Sequence, residues 1–197
     1  ILGLKPRLGL GQVTSVAAYI TEMPIGDFFT GVKDFWANPI ATFEHAKFLM
    51  DNSVFLRARF TQGFERDIKL ALSKGGIRTQ AFWFIRQGDR LAVAQGMWAK
   101  YQSGLKHGLS QEEAIFQAEL ASRRTQDTSE IETLSGLQNG PSWQKLLTMF
   151  QNQPNKYFQI IANNARNIRY GRGRRDKAVF NIVLAWAVLP ALFQFIV

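Results

Sequence analysis

The chain closes on "RRDKAVFNIVLAWAVLPALFQFIV", and this ending constrains the fold more than any other stretch. Charge stops at Lys177. From Ala178 to Val197 no ionisable side chain follows, and only Asn181 and Gln194 are overtly polar. As a helix these residues span about 30 Å, the thickness of a bilayer's hydrocarbon core. Trp186 and Pro190 are tolerated inside such a helix. The stretch is expected to be covered by hydrocarbon, by other copies in an assembly, or by an ordinary monomer core. The first two fates are compatible, since an assembly can hold a helix that it later releases.

The approach to this stretch is cationic. Residues 133–197 hold eight basic groups against one acid, Asp176, whereas the first 132 residues hold sixteen against fourteen. The net charge of +9 therefore belongs mainly to the end of the chain and points to a local anionic partner there, phosphate backbone or lipid headgroup. Arg166, Arg169, Arg172, Arg174, Arg175 and Lys177 are the candidates for that contact. Next to an apolar span such a cluster favours the cytoplasmic face and anionic lipids. Phe180, Val183, Leu184, Trp186, Leu189, Leu192 and Phe193 are the candidates for insertion or subunit packing. Just upstream, residues 155–170 read as an amphipathic helix. Tyr157, Phe158, Ile160, Ile161, Ala165 and Ile168 fall on one side, and Lys156, Arg166 and Arg169 lie elsewhere. The glycines of Tyr170-Gly-Arg-Gly-Arg-Arg175 follow no predicted strand, so a flexible basic elbow is expected there and not a phosphate loop.

Elsewhere the apolar spacing predicts an all-α chain of about eight to nine helices, with little strict alternation. Helices are expected at about 10–22, 25–36, 40–51, 53–73, 77–106, 110–127, 141–152, 155–170 and 174–197. Pro24, Pro39, Pro141 and Pro154 each fall at a predicted start, where a missing N–H is harmless. Ser110-Gln-Glu-Glu113 is a capping box, and Gly75-Gly76 and Gly108 are stop signals. The helix at 77–106 reads as an amphipathic core helix, with Phe82, Ile85, Val93, Gly96, Met97 and Tyr101 among its stripe. On the next helix, Arg123 and Asp127 are spaced to pair, and Thr128 or Ser129 to cap the turn beyond. Three parts follow: residues 1–76, a central 77–153, and 154–197 with the elbow and apolar helix. Residue 1 is Ile and no signal peptide opens the chain, so a piece of a longer protein is expected.

Little catalytic chemistry is visible. The absence of cysteine excludes disulfides, thiolate catalysis and cysteine-ligated zinc. His45 and His107 lie far apart, with no second ligand at helical spacing, and no hydrolase, P-loop or zincin motif occurs. Most carboxylates neighbour basic groups, as in Glu65-Arg66-Asp67, Asp89-Arg90 and Asp176-Lys177, and read as solvated faces or ion pairs. Glu44 and Glu119 are the acids with apolar flanks on a predicted helix, the setting that a raised catalytic pKa needs. One carboxylate in such a setting is a weak signal. The segment is expected to be no enzyme and to need no cofactor or metal.

The order of these features resembles a helical segment of very large proteins of tailed, especially short-tailed, bacteriophages: the internal virion (ejection) proteins and the polyvalent proteins. The likeness runs through Trp98-Ala-Lys-Tyr101, Ser110-Gln-Glu-Glu-Ala114, Ala118-Glu119 and Arg124-Thr-Gln-Asp-Thr-Ser129. It continues through Leu134–Gln138, Leu146-Leu-Thr-Met-Phe150, the basic linker and the apolar helix. Upstream, Asn52-Ser53, Leu56-Arg57-Ala-Arg59 and Glu65-Arg66-Asp67 extend it. The resemblance implies a non-catalytic scaffold or channel component in genome delivery, packaged in the capsid and moved into the host envelope at infection. It implies a homo-oligomer, other virion proteins, the host inner membrane and nonspecific double-stranded DNA as partners. Three alternatives stand beside it: a host-modifying polyvalent protein with enzymatic domains elsewhere, an unrelated membrane pore-forming helical protein, and a soluble DNA-binding module, against which the modest charge of residues 1–170 argues.

Overall fold

The computed structural model describes residues 15–60, 77–126 and 152–191. Every regular element among them is helical. A 3-10 helix, Ser15–Glu22, leads into α1 (Ile25–Phe35), α2 (Pro39–Asn52) and α3 (residues 54–60). Then come α4 (Ile77–Lys106) and α5 (Gln111–Thr125). Last are α6 (Asn152–Arg169) and α7 (Arg175–Val183), which runs on through a π-helical turn, Leu184–Val188. The predicted helix at 141–152 lies almost wholly outside the described residues, as do the Arg123–Asp127 pair, the Thr128 and Ser129 caps, Leu192 and Phe193.

Local chemistry sets the helix ends. Asn38 caps α2 by accepting from Ala41 N at 2.8 Å, and Pro39 fills the first helical position. Ser110 and Glu113 form the expected reciprocal box at the start of α5. At the other end of α4, Gly108 takes φ +86°. This lets Leu109 N donate to Gly104 O and Gly108 N to Leu105 O, a Schellman motif that closes the last turn.

The segment at 15–22 departs from the α-helix expected there. Its β-branched and aromatic residues gain little from α-helical winding, and the Thr21 hydroxyl donates to Ala18 O three residues back, the spacing of a 3-10 turn.

Helix α4 is the axis of the molecule. It was expected to be amphipathic, yet every residue from Ala92 to Ala99 is buried. The reason is that α1, α2, α5 and the 3-10 helix pack around α4, so no face of that stretch is left to water. Small residues make this possible. A Cβ on Gly31 of α1 would come within 2.4 Å of Ala99 Cα in α4, so these two backbones nearly touch. Met97, Tyr19, Phe35, Leu49 and Leu56 fill the space between the helices, together with Tyr157, Leu184 and Leu189 from the last two.

Several polar groups in and around this core find partners, although the Tyr19 hydroxyl and Gln95 Nε2 are buried without one among the described residues. Trp36 Nε1 donates to Gln95 Oε1 at 2.6 Å, and Trp98 Nε1 to Asp34 Oδ2 at 2.7 Å. At the end of α4, Asp27 accepts from Ser103 Oγ at 2.9 Å and from Lys106 Nζ, tying the first turn of α1 to the last turn of α4. Asp89 takes a bidentate contact from Arg59, so the ion-pair alternative holds for that acid.

Candidate functional site

Helices α6 and α7 form an antiparallel hairpin, and the basic elbow is its bend. Tyr170 N donates to Arg166 O, Gly171 N to Ile168 O and Arg172 N to Asn167 O. The last two bonds make a second Schellman motif, with Gly171 at φ +64° and Gly173 following at +74°. The basic elbow expected from the sequence is a hydrogen-bonded turn. Both glycines sit where an L side chain is disfavoured.

Around this turn the predicted cations come together at the surface. Arg166, Arg169, Arg172, Arg174, Arg175 and Lys177 are all exposed. Arg166 is steadied by Asn163 Oδ1 at 2.6 Å. Tyr170, which the charge pattern did not single out, stands among them. The guanidinium carbons of Arg169 and Arg172 lie 5.7 and 5.8 Å from its ring centroid, within cation–π range. Its signal in the sequence is an aromatic flanked by arginines at −1 and +2.

Asp176, the acid of the elbow, is occupied by Arg174, and that hydrogen bond holds its carboxyl below the usual range. Arg174 is the N-cap of α7, and Arg175 and Lys177 stand in its first turn, at the end where the helix macrodipole is positive. Asp176 in the same turn supplies the acid that this end favours, and the cations around it outnumber it.

Beyond Lys177 the apolar stretch divides between two fates. Ala178, Asn181, Leu184, Ala185 and Leu189 are buried against the rest of the chain. Val179, Phe180, Val183, Trp186 and Val188 face outward, Val183 being 52% and Trp186 75% exposed. Of the predicted packing residues, then, Leu184 and Leu189 serve the chain's own core, and Phe180, Val183 and Trp186 are displayed. Asn181 interrupts the inner face; its Nδ2 donates to Thr21 O and Asn164 Oδ1, both at 3.3 Å. Among the described residues no helix is long and apolar enough to cross a membrane.

Helix α6 corrects the expected distribution of its side chains. Tyr157 and Ile160 are buried, and burial pushes the Tyr157 phenol up to about 12. Phe158 and Ala165, placed on the same side by spacing, are exposed. Lys156 is buried and donates to Arg123 O at 3.3 Å, its aliphatic stem serving as packing. Arg123 lies over the Phe55 ring at 4.6 Å.

The acids weighed for catalysis and the two histidines are placed as follows. Glu44 is exposed on α2. Glu119 Oε1 accepts from Ser53 Oγ at 2.5 Å and faces Phe55 N at 3.4 Å, which supports the start of α3. His45 stacks on Trp98, with ring centroids 3.8 Å apart and planes at 15°. His107 sits at the exposed end of α4, its Nδ1 2.7 Å from Ser103 O. Among the described residues no group of three or more His, Asp or Glu side chains could hold a metal ion.

Comparison of the chain with protein-family models, with curated proteins and with solved structures finds no match.

Proposed function

We propose that this chain is a non-catalytic segment of a bacteriophage internal virion protein, working as an assembling scaffold or channel component in genome delivery across the host envelope. One observation carries the reading most: the C-terminal stretch has two apolar faces. The inner face is satisfied by the chain's own core and the outer face is displayed beside a cluster of arginines. A monomer that acts alone in water has little use for such a surface. A component that meets siblings or a bilayer does. The helical architecture agrees with the family resemblance of the sequence.

In this reading the chain travels inside the capsid and reaches the inner membrane after ejection, with other virion proteins and further copies of itself as neighbours. Packaged double-stranded DNA would meet the elbow through phosphates, without sequence preference and with affinity that falls steeply as salt rises. No role here requires a cofactor.

The test is where the protein goes. An antibody against the chain should detect it in nuclease-treated phage particles, and in the inner-membrane fraction of cells soon after infection. Particles that lack it altogether would overturn the assignment.

A further inference from the structure

Four of the outward residues of helix α7 and its π-helical extension fall in one stripe, with Phe180 and Val188 exposed beside it. Arg175, Val179, Val183 and Trp186 follow spacings of four, four and three, which place them along one helix face. All four are exposed. The stripe starts at the cationic turn and ends on an indole, and Tyr170 stands at the bend among the arginines. Apolar side chains continuous with arginines, with Trp and Tyr at the margins, make up the chemistry that suits a membrane–water interface.

We infer that this stripe and the elbow together form a docking surface for an anionic lipid bilayer, which the folded hairpin engages with the side that it does not use for its own core. The inference rests on the reading of the hairpin given above and names the partner of that surface. Guanidinium groups would take the headgroup phosphates, and Val179, Val183 and Trp186 would enter the acyl boundary.

Charge complementarity selects this occupant over two others. A second copy brings the elbow more charge of its own sign, since its acid, Asp176, is already held by Arg174. A nucleic acid supplies phosphates but makes no use of an outward valine and tryptophan stripe. An anionic bilayer satisfies both halves at once.

The experiment is co-sedimentation of the full chain with vesicles of phosphatidylglycerol and phosphatidylcholine, or of phosphatidylcholine alone, in about 0.1 M salt. Binding to the anionic vesicles and not to the neutral ones is expected. Replacing Arg172, Arg174 and Arg175 by Gln should weaken it about 100-fold. The pair Val183→Asp with Trp186→Ser should weaken it about 100-fold as well, while binding of a short DNA duplex is unchanged.

Three results would overturn the inference. One is equal binding to neutral vesicles. Another is loss of binding in the arginine variant with none in the apolar pair, which would mark a general polyanion site. The third is a lipid-free dimer that Val183→Asp dissociates, which would make the occupant a second copy. The chain lacks cysteine, so Val183→Cys gives an independent readout. Its thiol should react with a water-soluble maleimide in buffer and be shielded on anionic vesicles. Vesicle binding and presence in particles are separate measurements, so either can fail while the other stands.

Discussion

The ring of Tyr19 lies flat against the backbone of Gly96. A Cβ on that glycine would fall 2.2 Å from Tyr19 Cε2 and 2.4 Å from Cδ2, and the tyrosine is fully buried. The 3-10 helix is therefore seated on α4 through a hole that only glycine leaves. Gly96→Ala should cost about 3 kcal/mol in urea unfolding, the upper end of overpacking penalties. Tyr19→Leu in the same chain should recover part of the loss, and additive effects in the double-mutant cycle would contradict direct contact.

Ser53 joins two helices and one distant acid. It closes α2 through Ser53 N to Leu49 O, opens α3 by accepting from Leu56 N at 3.0 Å, and donates to Glu119. Ser53→Ala removes the cap and leaves the Glu119 oxygen only the longer contact with Phe55 N, and a loss of about 2 kcal/mol is expected in thermal or urea unfolding. Glu119→Gln keeps an acceptor and should cost less than half as much. If Glu119→Gln proves the more damaging change, the capping role is refuted.

Asp27 gives stability a dependence on acid. The Lys106 hydrogen bond, the largest influence, holds its carboxyl below the ordinary value, and Ser103 adds to this while burial opposes it. A depressed folded pKa means that the contribution is fully present above the unfolded value of about 3.9 and is lost as pH falls through the lower folded one. Asp27→Asn should thus be less stable than the parent by about 2 kcal/mol at pH 7. The gap should narrow as pH drops below about 4, where the parent carboxylate also protonates. A gap constant from pH 7 to pH 2 would show that charge on Asp27 is irrelevant.

Gly171 sets the direction in which the hairpin turns. Gly171→Ala retains the sequence charge but strains the left-handed residue, at about 1 kcal/mol. The unfolding midpoint should drop accordingly, with helical circular dichroism preserved. No change in midpoint would mean that the elbow adopts another turn without penalty.

Much of this architecture could be read from the chain, and the exceptions share a cause. The box at Ser110 and Glu113, the Asn38-Pro39 start and the long helix ending at Lys106 depend on neighbours in sequence, so they were legible. The enclosure of α4 was not, because it depends on which helices arrive from elsewhere. The same holds for Glu119, whose partner Ser53 is 66 residues away, and for Lys156, buried where a lysine is expected outside. At the candidate site the cations were legible as a cluster. The division of the apolar stretch into an inner and an outer face was not, since both faces are equally greasy in composition.

The π-helical turn at Leu184–Val188 has a further consequence. Leu189 N reaches back five residues to Leu184 O, so the coil holds one residue more than regular α winding needs. The described residues beyond it, 189–191, are rotated by about a quarter turn relative to an unbroken α-helix. Deleting one residue within this loop of backbone restores ordinary pitch and leaves Leu189 pointing inward. The same deletion at Val179 would throw the whole remainder out of phase. The widened turn is thus a point in α7 where one residue can be taken out while the two sides of the described helix keep their separate identities.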